Sequence, residues 1–315
     1  MRTLRILFMG TPEFSVPMLE AIYQSEHKLS AVVTAPDKPA GRGRKLKKSA
    51  VKVFAEKQNI EVLQPTNLKS DEFLNQLKTL NPNLIVVVAF RMLPKQVWQF
   101  PEFGTFNLHA SLLPNYRGLA PINWAIINGE TQTGLTTFFI DDKIDTGQII
   151  DTTTLPISKT DNVKDVYEKI LPKGVELVLK TLKQIAENKI ELKPQTEKEN
   201  LKTAPKLNKE NTKINWNQSG KEIYNLVRGL SPYPMAWSTL DNISEKTNCK
   251  ISKVSFQKEK HNFHNSHISI KDKNMLVAVK DGFIKIEEIK LSGKRLLKTA
   301  DLLNGYSINE LAKMT

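Results

Sequence analysis

A single cysteine, Cys249, stands in 315 residues, so no disulfide can form within the chain and the fold must hold by its core. That economy fits a reducing compartment, and the cytoplasm is the expected place. No apolar run reaches the ~20 residues that a bilayer-spanning helix needs. Met1-Arg2-Thr3-Leu4-Arg5 runs straight into a short strand-like segment, without the apolar stretch and small-residue cleavage site of a secretory signal. No internal repeat of solenoid period is present. Gly10-Thr11-Pro12 is not a G-x-G-x-x-G fingerprint, and no acid stands in register for a ribose, so nothing argues for a bound dinucleotide. Acids are also scarce relative to bases: 33 Asp and Glu face 46 Lys and Arg, a net charge of +13. Such a balance favours a polyanionic partner, nucleic acid or an anionic membrane.

The length is more than one core usually absorbs, so two domains are expected. The first half alternates short apolar runs with helical patterns. Strands are expected over 4–10, 29–35, 61–64, 84–90, 105–109, 135–140 and 148–156. Helices are expected over 15–25, 49–58, 71–80, 121–128 and 161–187, the last carrying Val163, Val166, Ile170, Val175, Leu179, Leu182 and Ile185 on one side. Strands separated by helices imply right-handed crossovers and a mostly parallel sheet covered on both faces. Residues 189–213 lose periodicity, are rich in Lys, Glu, Asn, Thr and Pro, and read as an extended linker. Beyond it a helix over 221–230 precedes short β-like runs at 236–240, 250–256, 275–279 and 283–289. Asp281-Gly282 marks a hairpin turn between the last two. The expected fold class is therefore α/β, a Rossmann-like mostly parallel sheet with helices on both faces, followed by a linker and a small OB-like β-barrel. The divisions fall at 1–188, 189–212 and 213–315.

The most informative stretch is Asn107-Leu108-His109-Ala110-Ser111-Leu112-Leu113-Pro114. Strand residues i and i+2 point to one face, so Asn107 and His109 would lean into one pocket. In open α/β sheets ligands sit beyond the carboxyl ends of the strands, which is where this pair lies. An amide donor and a titratable ring aimed at one point could stabilise an oxyanion and move a proton. Asp145, in the turn Asp141-Asp142-Lys143-Ile144-Asp145-Thr146-Gly147, supplies a carboxylate that could return to the ring.

Together these residues resemble the catalytic face of the 10-formyltetrahydrofolate-dependent formyltransferases. The resemblance extends over almost the whole chain. LRILFMGTPEF (4–14), PDKPAGRGRK (36–45), Asn107 to Pro114, YRGLAP (116–121), Asp145-Thr146-Gly147, APKL (204–207) and Ile214-Asn215-Trp216 follow in the family's order. The Asn-x-His pair and Asp-Thr-Gly belong to the superfamily at large. The glycine- and arginine-bearing loop and the C-terminal half resemble the branch that acts on initiator tRNA. That likeness implies direct transfer from 10-formyltetrahydrofolate, as formyl-donor co-substrate, to the α-amine of methionine on initiator Met-tRNA, with Asn107, His109 and Asp145 catalytic and no metal. It further implies a folate site at Ser111, Leu112, Leu113 and Pro114, with Arg91, Met92 and Leu93 beside it. One departure is visible: Ala89 to Pro94 (AFRMLP) lacks the Tyr-Gly-x-x-Leu-Pro form common in bacterial tRNA-acting members and looks more like the glycinamide ribonucleotide relatives.

Lys38, Arg42, Arg44, Lys45, Lys47, Lys48 and Lys52 fall between Asp37 and Glu56 with no acid among them. A charge run is normally a solvated face. Gly41 and Gly43 make this one pliable enough to order against phosphates. In the resembling branch the loop enters the acceptor stem, so Lys38, Arg42, Arg44, Lys45, Lys47 and Lys48 are the expected tRNA contacts, with Arg42 near the open first pair. Cys249, His261, His264 and His267 have loosely zinc-like spacing, but their Lys/Asn/Ser-rich tract reads as a polar loop. A monomer without membrane attachment is expected. The competing readings are a formyltransferase for a sugar amine or glycinamide ribonucleotide, and a tRNA-binding module with an inactive transferase domain.

Overall fold

The computed structural model describes residues 2–40, 45–196 and 199–315. It divides into two compact units: residues 1–118, 134–155 and 168–202 form the first, and 119–133, 156–167 and 203–315 the second.

The first unit is built on a seven-stranded sheet: β1 (Arg5–Gly10), β2 (Lys28–Val33), β3 (Val62–Leu63), β4 (Leu84–Val88), β5 (Thr105–His109), β6 (Gln132–Phe139) and β7 (Ile149–Pro156). Their order is β7-β6-β5-β4-β1-β2-β3. The five from β3 to β5 are parallel, and β6 runs antiparallel to β5. The mostly parallel sheet is as expected. The reason is legible in β4, whose LIVVV is buried throughout, the mark of a strand covered on both faces.

One face carries Leu7, Met9, Ala31, Val33, Ile85 and Val87, spaced by two along each strand, packed against Phe73 and Leu77. Those two belong to α1 (Asp71–Leu80), whose start is fixed by Ser70 accepting the Phe73 N–H at 3.4 Å and by Asp71 and Glu72 at the positive end of the helix dipole. Asn81 ends it in the left-handed conformation, φ +42°. On the other face the long helix α2 (Val163–Ala186) brings Gly174 against Met18, Leu108 and Leu135. Its buried line runs Val166, Ile170, Leu177, Val178, Leu182, Ile185 and Ala186, while Leu179 is exposed. The expected stripe holds at Val166, Ile170, Leu182 and Ile185; only in mid-helix does it shift by one residue, with Gly174 and Val178 facing inward in place of Val175 and Leu179.

The second unit contains α3 (Gly220–Leu230) and a barrel of β8 (Ala236–Asp241), β9 (Lys246–Lys258), β10 (Ile268–Lys271), β11 (Asn274–Val279), β12 (Gly282–Leu291) and β13 (Lys313–Met314). The order is β10-β11-β12-β9-β8-β13. A bridge from His267 to Lys313, with Ile268 donating to the Ala312 carbonyl at 3.1 Å, joins the two ends. Closure removes the exposed edges an open sheet would present. The 13-residue β9 spans two neighbours by bending where its register with β12 shifts around Ser252. Ile223, Val227 and Leu230 of α3 join Ile251, Val277, Ile284 and Ile286 in the core. Ser219 and Glu222 cap the start of α3 reciprocally. The sequence reading shortens β9 and omits β10 and β13, whose ISIK and KM lack an apolar alternation long enough to register.

Residues 156–167 join this unit through Arg228 and residues 119–133 through Gly229. The Arg228 guanidinium is buried and donates to the Ser158 and Asp161 carbonyls and to Asn225. Burial lowers its proton affinity, with Tyr224 and Asp161 opposing. Asn123 donates to the Gly229 carbonyl at 2.8 Å, and a side chain at Gly229 would collide with Ile127.

Candidate active site

Asn107 and His109 lie two residues apart on β5, with Leu108 turned to the opposite face against Gly174. Asn107 is aligned with Val87 and Phe138 and is half-buried; among the described residues its carboxamide makes no hydrogen bond. His109 is 6 % exposed. Its Nε2 lies 2.8 Å from the Tyr116 carbonyl oxygen, which can only accept, so Nε2 carries a proton. Nδ1 lies 3.7 Å from Asp145 Oδ2, an ionic contact too long for a hydrogen bond. That contact is ionic only when the ring is protonated, and among the described residues Nδ1 makes no hydrogen bond.

The Asp145 carboxylate is fixed from several sides. Its backbone is left-handed, φ +55°, a conformation Asp tolerates better than most residues. Gly118 N–H donates to Oδ2 at 3.0 Å, and among the described residues Oδ1 has no hydrogen bond. Upstream, Asp141 Oδ1 accepts from the Lys143 N–H and the Thr146 hydroxyl, closing an Asx turn. Gly147 presses on β6: a Cβ there would lie 1.7 Å from the Phe139 carbonyl oxygen. Asp-Thr-Gly thus combines one chemical residue with two that shape its turn.

The strand exit is held as tightly. Thr136 on β6 donates its hydroxyl to the Ser111 carbonyl at 2.7 Å and accepts the Leu113 N–H at 3.2 Å. Ser111, fully buried, donates to the Asn115 carbonyl. Leu113 is buried, Pro114 is half-buried, and Leu112 is half-buried against Gly134. The three neighbours expected beside the folate separate. Leu93 packs into the sheet core, Arg91 donates to the Pro65 and Thr66 carbonyls, and Met92 is 70 % exposed.

Two residues in this region lie outside the sequence-based set. Arg117 Nε and a terminal nitrogen donate to Gln195 Oε1 at 3.1 and 2.6 Å. Gln195 Nε2 donates to the Asp145 and Gly147 carbonyls, both at 2.9 Å. With Asp141, Asp142, Lys143 and Thr146 they line a cavity of about 330 Å³. Arg117 sits in the quoted YRGLAP motif. Gln195 sits in a polar tract with no local signal beyond the adjacent Pro194.

The basic segment is partly organised. Lys38–Ala40 and Lys45–Lys47 pair as an antiparallel ribbon that aligns Lys38 with Lys47, both exposed. Arg42 and Arg44 lie outside the described residues, as does the side chain of Lys45. Lys48 is paired with Glu56 at 2.7 Å, which raises its proton affinity. Lys52 is bound to Asp37 and Gln64, both at 2.7 Å, and its hydrogen bond holds the Asp37 carboxyl below its ordinary value, helped by Gln64. In the zinc-like quartet, Cys249 is buried in the barrel core and His261 Nε2 lies 2.8 Å from the Val279 carbonyl oxygen. Among the described residues no helix is long and apolar enough to cross a membrane.

Residues 4–182 match the formyl transferase family and residues 206–307 the formyl transferase C-terminal domain, and the chain belongs to the formyl transferase family. Within it, the chain is 51 % identical over 314 residues to the methionyl-tRNA formyltransferase of Flavobacterium johnsoniae, covering 100 % of both chains. It is 46 % identical to that of Bacteroides fragilis, over 99 % of this chain and 98 % of the other. A solved N-formyltransferase from Helicobacter canadensis, in complex with folinic acid and dTDP-3-aminofucose, superposes with a TM-score of 0.65 at 25 % identity, over 90 % of this chain and 98 % of that one.

Proposed function

We propose that the chain transfers the formyl group of 10-formyltetrahydrofolate to the α-amine of methionine on initiator Met-tRNA, giving N-formylmethionyl-tRNA for translation initiation. The observation that carries this reading is end-to-end likeness to methionyl-tRNA formyltransferases, in a chain whose one half-buried, unbonded carboxamide on β5 stands beside a histidine–aspartate pair.

The acceptor amine attacks the formyl carbon, and the carbonyl electrons move onto oxygen. Asn107 donates to that oxygen through its amide. His109 donates through Nδ1–H, because Nε2 is engaged by Tyr116. Donors preorganised on a developing oxyanion are worth about 3–4 kcal/mol each. Asp145 takes the amine's proton on Oδ1 while Oδ2 stays on the Gly118 N–H. The carbon–N10 bond then breaks as the carbonyl reforms, and N10 leaves protonated from the same carboxyl. No metal and no covalent enzyme intermediate enters this scheme.

Folate lies along Ser111, Leu112, Leu113 and Pro114, read by backbone groups there and near Arg91, Met92 and Leu93. Lys38 and Lys47, with Arg42, Arg44, Lys45 and Lys48, meet the acceptor stem, and the lysine-rich barrel takes more of the tRNA backbone. In this scheme 1–188 is catalytic, 189–212 links, and 213–315 binds tRNA, in a cytoplasmic monomer. Incubation with 10-formyltetrahydrofolate and charged initiator tRNA, elongator Met-tRNA or free amino sugars tests the assignment. Formyl transfer is expected to the first in strong preference. Transfer to amino sugars instead would overturn it.

A further inference from the structure

We propose that Gln195 is a positioning residue: its amide holds the Asp145 carboxylate at His109 through two backbone carbonyls, and Arg117 sets which way that amide faces. The inference rests on the assignment of Asn107, His109 and Asp145 above.

An amide side chain has one accepting end and one donating end of nearly equal shape. Here both ends are assigned by their partners. Two N–H groups of Arg117 converge on Oε1, so the oxygen must face the guanidinium. The two hydrogens of Nε2 are then aimed at Asp145 and Gly147, whose carbonyls can only accept. Flipping the amide would set donor against donor on one side and acceptor against acceptor on the other. The contact is also anchored from behind, because the neighbouring Lys193 exchanges two backbone hydrogen bonds with Ile149 on β7, at 2.8 and 2.9 Å.

Both carbonyls lie at the C-terminal end of the turn that carries the carboxylate. Asp145 is in a left-handed conformation that needs its surroundings to maintain it. On one side Gly147 abuts Phe139, and on the other Gln195 pulls both carbonyls toward the segment after α2. Asp145 is thereby kept with Oδ2 on Gly118 N–H and 3.7 Å from the ring. Without the amide, the Asp145 and Gly147 carbonyls lose this partner and the carboxylate can leave the ring.

The test uses the full-length chain, with kcat and both Michaelis constants for Gln195→Ala, Gln195→Glu, Asp145→Asn and the double variant Asp145→Asn with Gln195→Ala. A displacement of about 1 Å at a catalytic group costs about 100-fold in rate. Gln195→Ala is therefore expected to lower kcat by about that factor, with both Michaelis constants within about twofold of native. Gln195→Glu can keep Arg117 as an ion pair but points oxygen at the carbonyls, so its kcat should fall as far. In the Asp145→Asn background, Gln195→Ala should add less than about a further twofold, since it acts through that carboxylate. An equal proportional loss in both backgrounds would mark Gln195 as structural only and overturn the proposal. Native kcat in Gln195→Glu would overturn it as well, and does so even if the alanine variant fails to fold. If Asp145→Asn itself keeps native kcat, the catalytic assignment fails, an outcome separable from failure of the clamp alone.

Discussion

Gly147→Ala places one methyl group where the structure has no room. The added Cβ would lie 1.7 Å from the Phe139 carbonyl oxygen and 2.9 Å from its carbon. Ordinary carbon–oxygen contact is about 3.3 Å, so one partner must move by about 1.6 Å. Phe139 is poorly placed to yield: it is aligned with Phe106 in the sheet, and its N–H donates to the Gln148 carbonyl at 3.0 Å. The turn carrying Asp145 therefore moves, and Oδ2 leaves either Gly118 or the ring. A shift of this size costs about 100-fold in kcat, and the overpacking costs about 1–3 kcal/mol of stability. The assay is formyl-methionyl-tRNA formation at saturating substrates, run below the unfolding range that a thermal melt of the same sample defines. Gly305→Ala serves as control, because nothing lies within 4 Å of its added Cβ. A Gly147→Ala enzyme that is folded and turns over at the native rate would refute the claim that the turn's position sets the rate.

Asn107→Ala should lower kcat by about 100- to 1,000-fold, since it deletes an oxyanion donor, while the dissociation constant for tRNA measured by filter binding stays near native. Lys47→Ala should reduce the log–log salt slope of tRNA affinity by about 0.9, whereas Lys52→Ala should leave the slope unchanged, because Lys52 is committed to Asp37 and Gln64. Asp37 has its carboxyl lowered chiefly by Lys52, so its contribution to stability is present above the ordinary carboxylate value and is lost as pH falls through the lowered one. Lys52→Ala should flatten that acid-side loss in melts recorded across pH. The Cys249 thiol is pushed up to about 12 by burial, so alkylation at pH 8 should be slow in the native protein and appear only with unfolding.

What the sequence discloses follows the range of the interaction. α1 is legible to the residue because Ser70, Asp71 and Glu72 announce its start, Phe73 and Leu77 repeat on one face, and Asn81 stops it. The β5 pair is legible because strand periodicity alone sends Asn107 and His109 to the same face. Asp145 is legible only as a carboxylate in a turn and by resemblance, for its approach to His109 depends on Gly118, 27 residues away. β10 and β13 escape because their pairing partners, not their own composition, make them strands. The lysine run looks uniform in sequence, yet Glu56 and Asp37 divide it into unpaired exposed, paired exposed and paired half-buried cations.

Gln195 shows the limit most sharply. Its tract has the composition of a solvated connector, and composition alone assigns it no task beyond spanning a distance. The structure gives this one residue four hydrogen bonds, to partners 48 to 78 positions away. Each bond is ordinary, and an exposed glutamine could satisfy itself equally well with water. Its significance comes from convergence: the same amide fixes a cation on one side and the carbonyls of a left-handed aspartate and of Gly147 on the other. A single chain carries no local record of such convergence, because none of the three partner residues has to be unusual for it to occur. Chemistry that needs a rare residue at a fixed spacing is therefore visible from sequence. The scaffolding that keeps the chemistry in register is written in common polar residues, and only their meeting in space distinguishes them.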